Sequence, residues 1–277
     1  MEINDYAIVI RSKGRYKTIN QKTLEVVNRS NIPHQNVYIF CPLHEIPLYE
    51  QEIGLTYNIK DGGSEGTNAC NLKIMDFFHS HYKDKYIIQM DDDIDWILEK
   101  TDSVPSSSEK REKKNNKLIP KSFKHKNLLE LIQEGYRDMK MKDLNVWGLY
   151  PVCNSYFMKN LTTTYGLKFL IGRVFGFIND SDTVSLCRTV DNYRDDYERS
   201  ILFYEKDGGV IRYNHLTCLA DTYIGKGGLN EIRNLEGMTN SVNYMKQKYP
   251  KYVRDKKCKS KYPEIRLVQK PPLTVVV

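Results

Sequence analysis

The chain has 277 residues, of which 40% are hydrophobic and 28% are charged, a composition typical of a globular protein with a sizeable core. No apolar stretch approaches the roughly 20 residues that a membrane-spanning helix needs, and the N-terminus lacks the pattern of a signal peptide. The 42 Lys and Arg against 35 Asp and Glu leave a net charge of +7, which favours a polyanionic partner such as nucleic acid. We therefore expect a cytoplasmic protein without a membrane span.

The first hundred residues alternate between predicted strands and predicted helices. Each strand is a short apolar run, and a helical pattern follows each of the first three. The predicted strands are 8–10, 37–40, 55–59 and a run that begins at 86, and the predicted helices are 18–28, 46–52 and 67–79. This spacing predicts an α/β fold with a mainly parallel, Rossmann-like sheet, in which ligands bind at the carboxyl ends of the strands.

Two loops in this half are candidates for contact with a nucleotide. The residues that follow the first strand are Arg11, Ser12, Lys13 and Arg15, and their three cations could contact a base or a diphosphate. The loop 61–66, Asp-Gly-Gly-Ser-Glu-Gly, lets backbone amides approach a ligand, although it lacks the spacing of a phosphate-loop or dinucleotide fingerprint. Basic loop residues are common, so neither loop identifies a ligand by itself.

The most informative segment is 86–95, an apolar run that ends in carboxylates. We expect a short buried strand that delivers Asp91, Asp92, Asp93 and Asp95 to its exposed end. Carboxylates this close raise one another's pKa or require a cation. An all-oxygen cluster suits Mg²⁺ or Mn²⁺, particularly when phosphates supply the remaining ligands.

The acidic run also resembles three other kinds of acidic segment. A calcium loop is excluded, because Trp96 stands where its sharp turn needs Gly, and Asp102 where a bidentate Glu is expected. A solvated acidic turn stays open and is as well supported by the bare triplet as a metal site. A metal-dependent nuclease or polymerase also stays open, since these enzymes clamp phosphates with paired carboxylates.

Residues 101–126 are rich in Ser, Lys and Asn and have almost nothing to bury, which predicts a mobile loop. Their cations could hold a nucleic-acid backbone, or they could belong to a solvated linker, and the composition favours neither. The basic residues of this segment are Lys110, Arg111, Lys113, Lys114, Lys117, Lys121, Lys124 and Lys126.

The second half again alternates between helices and strands. The expected elements are a helix from residue 128, a strand at 145–150, glycine-containing strands within 165–178, a helix at 195–203 and a strand at 210–213. Asp195 and Asp196 open the predicted helix, whose positive end should lower their pKa and suit an ionised general base. Simple N-capping is the alternative, and spacing alone favours it. His215 follows a strand and is a candidate nitrogen ligand for the same metal.

Taken in order, these motifs resemble those of a GT-A-type glycosyltransferase. The matching features are IVIRSKGR after the first strand, the DxD-type motif in QMDDDID, the acidic motif in RDDYERS and the later YIGKGGL. More narrowly, the segments WGLYPVCN, IGRVFGFIND and DDYERSILFYEKDGGVIRYN look like the TET-associated glycosyltransferase family of phages and related viruses. The resemblance covers most of residues 5–230. It implies a GT-A-type mixed sheet flanked by helices and the transfer of sugar to hydroxymethylated pyrimidines in DNA.

Carried over residue by residue, the resemblance implies a division of roles. Asp91 and Asp93 would hold Mn²⁺ or Mg²⁺ on the diphosphate of the donor, a UDP-sugar, and Asp92 would assist at the ribose or the sugar. Asp196 resembles the last acid of the xED motif, which deprotonates the acceptor hydroxyl in inverting enzymes. Position 195 is Asp where Glu is common. Asp195 and Asp196 are therefore both candidates for the catalytic base, and retention of configuration stays open.

The resemblance also implies how the chain is organised. We expect a single GT-A-like domain, with a nucleotide-sugar-binding half at 1–100, a flexible basic loop at 101–126, and an acceptor-binding half with a C-terminal tail at 127–277. If the chain is viral, its compartment would be the host cytoplasm. The sequence is silent on the oligomeric state.

Three functional hypotheses follow. The leading one is a metal-dependent hexosyltransferase that moves a sugar from a nucleotide-diphosphate sugar to a modified pyrimidine in DNA, with Lys113, Lys114, Lys117 and Lys121 on the acceptor. The second keeps the enzyme class and replaces DNA by a surface glycan. The third is a nucleic-acid-binding module whose acidic cluster is structural.

Overall fold

The fold is that of a computed structural model, whose described residues are 5–63, 67–81, 85–101, 111–114, 117–186, 193–220, 234–257 and 261–269. The strands are β1 (Tyr6–Arg11), β2 (Val37–Cys41), β3 (Asn58–Asp61), β4 (Lys85–Asp91), β5 (Ile94–Lys100), β6 (Arg111–Lys114), β7 (Lys117–Pro120), β8 (Phe123–His125), β9 (Val146–Leu149), β10 (Val174–Asn179), β11 (Ile211–Tyr213), β12 (Leu216–Ala220), β13 (Val253–Lys256) and β14 (Glu264–Leu267). The α-helices are α1 (Thr23–Arg29), α2 (Ile46–Ile53), α3 (Thr67–His81), α4 (Leu128–Lys142), α5 (Ser181–Leu186), α6 (Asp195–Asp207) and α7 (Leu235–Lys248).

A seven-stranded sheet in the order β11-β9-β10-β4-β1-β2-β3 forms the centre of the protein. All its strands run parallel except β10, which is antiparallel to both of its neighbours. The Rossmann-like mixed sheet flanked by helices that the sequence and its resemblance predicted is therefore confirmed. Six of the seven strands consequently present their carboxyl ends at the same edge of the sheet, the carboxyl edge.

The central strands form because they are apolar on both faces. Along β1, Ile8 and Ile10 contact one buried cluster, which includes side chains of α1 and α4, while Ala7 and Val9 contact another, which includes side chains of α3 and α6. All four are fully buried. A strand covered by helices on both faces reads as a continuous apolar run, which explains why the sequence signal at β1 is so clear.

The antiparallel strand β10 lies close to a large aromatic side chain. Trp147 of β9 is fully buried and donates a hydrogen bond of 2.5 Å from Nε1 to the Tyr86 hydroxyl. A Cβ at Gly176 of β10 or at Gly135 of α4 would overlap the Trp147 ring. Gly176 thus serves close packing against a side chain.

Two smaller sheets and a C-terminal unit complete the described structure. Strands β12, β5 and β8 form a three-stranded sheet, and β6 pairs with β7 in a hairpin. We call α7 together with the antiparallel pair β13 and β14 the C-terminal unit; its buried side chains pack against those of α6. Within the described ranges, no helix is both long and apolar enough to cross a membrane.

Several predicted elements are wrong in extent. The helix predicted at 18–28 is a 3₁₀ turn, Ile19–Gln21, followed by α1, and the third strand begins at 58 instead of 55. The segment 165–178 contributes only β10. Within 101–126, where the sequence predicts a mobile loop, the described residues form the three strands β6, β7 and β8. Buried Ile119 and Phe123 hold this segment in a cluster with Trp96, and its many polar residues concealed these two anchors.

Candidate functional site

The candidate site lies at the carboxyl edge, where β1 and β4 end side by side. The parallel pairing of these strands sets Arg11 directly opposite Asp91, the last residue of β4. Asp92 and Asp93 form the turn that leads into β5, and we call Asp91–Asp93 the acidic turn. Thr23 of α1 fixes the two ends of this turn, since its hydroxyl donates to the Asp91 carbonyl at 2.6 Å and accepts from the Ile94 amide at 3.0 Å.

Cations at the end of β1 and in the loop after it neutralise the acidic turn. Arg11 Nη2 lies 2.9 Å from Asp91 Oδ1, and Arg15 Nη1 lies 3.1 Å from Asp93 Oδ2 and also contacts Asp92. The second oxygen of Asp92 accepts a 2.5 Å hydrogen bond from the Ser12 hydroxyl. Arg11, Ser12 and Arg15, predicted to contact a nucleotide, are thus partners of the aspartates; Lys13 lies beside them, partly buried.

The sequence predicted that the four aspartates would lie together at an exposed strand end. The structure does not place them in this way. Asp92 and Asp95 are each only 5% exposed, and Asp95 lies within β5, where Lys22 Nζ is 2.9 Å from its carboxylate. Burial raises the pKa of Asp92. The pKa of Asp93 is raised to about 7 by burial and by the nearby charges of Asp91 and Asp92, against the opposing effect of Arg15. The acidic turn is therefore a partly buried cluster that is costly to ionise fully.

The second acidic motif reaches the same place. Asp195 Oδ2 lies 3.5 Å from Arg11 Nη1 and 3.6 Å from Arg199 Nη1. Arg11 therefore stands between Asp91 of the acidic turn and Asp195 at the start of α6. Asn71 of α3 strengthens this link, because its side chain accepts from Arg11 at 3.2 Å and donates to Asp195 at 3.4 Å.

Asp196 differs from Asp195 in its partners. Its carboxylate accepts a 2.9 Å hydrogen bond from the Tyr197 amide. Burial and the charge of Asp195 raise its pKa to about 7, although Arg199 and Arg194 oppose this change. The expectation that the helix terminus would lower this pKa is thus wrong, because burial beside another carboxylate outweighs the helix dipole. Simple N-capping does not describe the motif either, since Arg194 occupies the N-cap position and no side chain caps the helix there.

Three further residues of the site had no signal in the sequence. Asn71 and Gln89 are buried, and Gln89 donates to Asn71 at 3.2 Å, which helps to fix the Asn71 amide between the two acidic motifs. Arg173 follows a loop glycine; its carbonyl accepts from the Asp91 amide at 2.9 Å, and its charge acts on Asp93. Isolated polar residues in apolar segments look like ordinary core positions, so only the tertiary structure identifies them.

Other predicted residues lie elsewhere or outside the described parts. The His215 carbonyl accepts from the Lys100 amide at 2.8 Å, at the far end of β5 from Asp93. Because six residue steps of strand span roughly 20 Å, the structure does not bring His215 to the acidic turn. Lys121 is exposed in the turn between β7 and β8. Outside the described parts of the chain lie the side chains of Lys113, Lys114 and Lys117, and the YIGKGGL segment.

The carboxylates fit a divalent cation only in part. Among the residues that the structure describes, no group of three or more His, Cys, Asp or Glu side chains is arranged to hold a metal ion. Arg11 contacts Asp91 through Oδ1, and Arg15 contacts Asp93 through Oδ2. Two carboxylates suit a cation such as Mg²⁺ that takes its other ligands from water and substrate phosphates.

Comparisons with known proteins find similarity at the level of structure alone. No family model matches the chain, and no curated protein matches it. A protein from Desulfovibrio desulfuricans G20 described as a nucleotide-diphospho-sugar transferase matches at 12% identity over 75% of this chain and 79% of its own, with a TM-score of 0.44. Residues 1–349 of S. aureus TarS match at 9% identity over 87% of this chain and 65% of that one, with a TM-score of 0.46.

A third structural match is a CMP:2-keto-3-deoxy-manno-octonic acid synthetase complexed with CTP. It is 10% identical over 76% of this chain and 88% of its own, with a TM-score of 0.43. None of the three is described as acting on DNA. At TM-scores below 0.5 these matches assign no activity to the chain, and the narrower resemblance to a DNA-modifying family stays a prediction.

Proposed function

We propose that this chain is a metal-dependent glycosyltransferase that moves a sugar from a nucleotide-diphosphate sugar to a hydroxymethylated pyrimidine in DNA. The observation that carries the proposal is the position of Arg11, which lies 2.9 Å from Asp91 and 3.5 Å from Asp195. Two acidic motifs that are far apart in the sequence thus meet at the carboxyl edge, where α/β sheets bind ligands. One motif can serve the donor and the other the acceptor.

The donor side is the acidic turn. Asp91 and Asp93 would hold Mn²⁺ or Mg²⁺. The metal would supply Lewis-acid stabilisation of the leaving nucleoside diphosphate, for which we take UDP as the first candidate. Arg15 contacts one carboxylate oxygen of Asp92, and the Ser12 hydroxyl donates to the other. We therefore assign to Asp92 the role of stabilising the conformation of the turn. The loop that contains Lys13 borders the same space.

The acceptor side is the start of α6, and Asp196 is the better candidate for the base. Asp195 is engaged by Arg11, Arg199 and Asn71, whereas the Asp196 carboxylate accepts from the Tyr197 amide. A pKa of about 7 for Asp196 lies near neutral pH, which suits a general base. As the acceptor oxygen bonds to the anomeric carbon and the bond to the diphosphate breaks, Asp196 would take the hydroxyl proton.

A DNA acceptor imposes a further requirement. The modified base must leave the helical stack before its hydroxymethyl group can reach a carboxylate at the sheet edge, unless the strand is already single. The net charge of +7 supports a polyanionic acceptor, and Lys113, Lys114, Lys117 and Lys121 are the residues that we assign to the DNA backbone.

The direct test incubates the protein with DNA containing hydroxymethylated pyrimidines, Mn²⁺ and a panel of sugar nucleotides. We expect release of nucleoside diphosphate and a gain in mass of the DNA that equals one sugar per modified base. Release of pyrophosphate would instead indicate nucleotidyl transfer. Turnover with glycan acceptors in the absence of DNA turnover would favour the surface-glycan hypothesis.

A ligand-binding test separates the enzyme from a nucleic-acid-binding module. A bound donor stabilises the folded state by mass action, so UDP-sugar with Mn²⁺ should raise the melting temperature. Asp93→Asn should remove this increase. Asp255→Asn is the matched control, because Asp255 lies in β13 and pairs with the partly exposed Lys246. No increase with any donor, together with retained DNA binding, would favour the non-catalytic module.

A further inference from the structure

A short turn after β9 exposes two aromatic rings. Tyr156 is 45% exposed and Phe157 is 55% exposed, and their ring centroids lie 5.2 Å apart at an interplanar angle of 84°. Val152, two residues before the turn, is 44% exposed. Large apolar side chains grouped in this way on a surface commonly mark a place where another molecule binds. We call residues 154–158 the aromatic turn.

The aromatic turn is built by specific contacts. Ser155 and Met158 are buried on its inner side. The Asn154 side chain accepts from the Tyr156 amide at 3.0 Å, and the Tyr150 hydroxyl donates to the Phe157 carbonyl at 2.8 Å. Because the backbone is fixed from both sides, the two rings are held outward at little further cost in conformational entropy when a ligand binds.

The position of the turn connects it with the candidate site. Strand β9 points the same way as β1 and β4, so the chain leaves β9 at the carboxyl edge. The segment that contains the turn ends at Gly172 and Arg173. There, the Gly172 carbonyl accepts from Arg11 at 3.5 Å and the Arg173 carbonyl accepts from the Asp91 amide at 2.9 Å. The connection between β9 and β10 thus carries the exposed rings near its start and contacts Arg11 and Asp91 at its end.

Positive charge accompanies the rings. Lys159 Nζ lies 5.1 Å from the Tyr156 ring centroid, and Lys159 is itself exposed. The inner side of the turn shares a buried cluster with Phe123 of β8, since Met158 and Phe123 pack together in it. Exposed Lys121 lies two residues before Phe123, in the turn between β7 and β8.

We propose that the aromatic turn binds unpaired bases of a nucleic-acid strand, with Tyr156 and Phe157 as stacking surfaces and Lys159 beside the backbone. Exposed aromatic rings with adjacent cations are the combination that single-strand binding proteins use. A neutral glycan could also stack on the rings, but it would make no use of the lysines or of the net charge of +7. This inference rests on the proposed function, because the aromatic turn would hold the DNA strand that accepts the sugar.

The test measures binding without donor or metal, so that it does not depend on catalysis. A labelled single-stranded oligonucleotide and the matching duplex are titrated with the intact protein at low salt, by fluorescence anisotropy. We expect Tyr156→Ala and Phe157→Ala each to weaken single-strand affinity by about 5- to 150-fold, the equivalent of one lost base stack. Phe157→Leu, which keeps an apolar side chain and removes the ring face, should show a similar loss. Duplex affinity should change much less.

Tyr165→Ala is the matched control. Tyr165 is 40% exposed, and Lys142 Nζ lies 4.9 Å from its ring. Tyr165 lies beside Gly209, which precedes β11 and is therefore at the amino ends of the parallel strands, opposite the carboxyl edge. Its removal should leave single-strand affinity unchanged. The inference is overturned if the Tyr156 and Phe157 variants keep wild-type affinity, if Tyr165→Ala causes the same loss, or if single strand and duplex weaken equally. A change in oligomeric state without a change in DNA affinity would also overturn it.

The two proposals can fail separately. If the wild-type protein binds single strands through the aromatic turn but transfers no sugar to DNA, the proposal of a DNA acceptor is wrong and the proposed binding surface is supported. If sugar is transferred to DNA while the Tyr156 and Phe157 variants bind single strands with wild-type affinity, the proposed binding surface is wrong and the proposed function is supported.

Discussion

The acidic turn after β4 and the acidic start of α6 lie on either side of Arg11, but different parts of the chain hold them in place. The acidic turn is set by strand pairing between β1 and β4 and is neutralised by Arg11 at the end of β1 and Arg15 in the loop that follows. The start of α6 depends on side-chain contacts with the C-terminal unit. Glu198 accepts from Lys248 at 2.8 Å and from Tyr249 at 2.7 Å, and Arg194 donates to the Pro263 carbonyl at 2.8 Å.

This difference separates two ways of building a site. Backbone pairing in a buried sheet leaves little freedom, so the acidic turn should persist whenever the sheet is folded. The start of α6 is positioned in addition by buried polar contacts, so it can shift when one of them is lost. The two regions should therefore respond differently to mutation: the acidic turn through ligand binding, and the start of α6 through rate and local stability.

The largest effect should come from the acidic turn. Asp91→Asn and Asp93→Asn each remove one of the two carboxylates assigned to the metal, so we expect transfer to fall by about 1,000-fold or more. The melting-temperature increase caused by donor and Mn²⁺ should disappear as well. Retained donor stabilisation in both variants would exclude these residues as metal ligands.

The next largest effect should come from Asp196→Asn. Loss of a general base typically lowers kcat by about 100- to 10,000-fold. Donor stabilisation should be unchanged, because the acidic turn is intact, and this distinguishes the variant from those of the turn. Two quantities are measured: kcat at saturating donor, and the increase in melting temperature that donor and Mn²⁺ cause. If Asp196→Asn lost as much donor binding as Asp93→Asn, the assignment of donor binding to the acidic turn and of acceptor deprotonation to the start of α6 would be wrong.

A smaller effect should follow from loosening the contact between α6 and the C-terminal unit. Glu198 is 1% exposed, and Glu198→Ala would leave Tyr249 and Lys248 without their acceptor, so we expect a loss of about 2 kcal/mol in the free energy of unfolding. Activity should fall at unchanged donor stabilisation. Chemical denaturation gives the first quantity, and kinetics give the second.

Lys246→Ala is the matched control for this change. Lys246 also lies on α7 and pairs with Asp255 at 2.8 Å, but the two side chains are 41% and 69% exposed. Exposed pairs contribute little, so stability should change by about 0.5 kcal/mol or less. Equal destabilisation by both variants would argue against a special role for Glu198.

The smallest effect concerns pH. The pKa of Asp196 is raised to about 7, so between about pH 4 and pH 7 the folded protein binds more protons than the unfolded chain. The free energy of unfolding should therefore fall as pH rises through this range, by about 1 to 2 kcal/mol from this group because it is only partly buried. Over the same range kcat/KM should rise as the base ionises. Denaturation of the metal-free protein at several pH values measures the first trend.

In Asp196→Asn the slope of stability against pH should be smaller, although not absent, because the pKa of Asp93 is shifted in the same direction. An unchanged slope would mean that Asp196 titrates at an ordinary pKa. Asp255→Asn serves as a control, since the Asp255 carboxylate is exposed on β13 and pairs with Lys246 at 2.8 Å.

Much of the sheet could be predicted from the sequence, whereas the site could be predicted only in part. Strands such as β1 were visible because buried strands are continuously apolar. Strand β8 was missed because Phe123 stands alone among polar residues. The pKa of Asp196 was predicted in the wrong direction, since a rule about helix termini cannot include the burial that tertiary packing imposes. The distance between His215 and the acidic turn depends on the course of β12 beside β5, which no local pattern contains.

By itself the sequence determined the local features of this protein: alternating strands and helices, carboxylates directly after β4, and a second acidic pair at the start of α6. These follow from side-chain periodicity and chain adjacency, which act over a few residues. Only the tertiary structure decided that Asp91 and Asp195 share Arg11, that Asn71 joins them, and that Tyr156 and Phe157 are exposed. Such contacts depend on strand order and helix packing, which arise from the whole chain folding together.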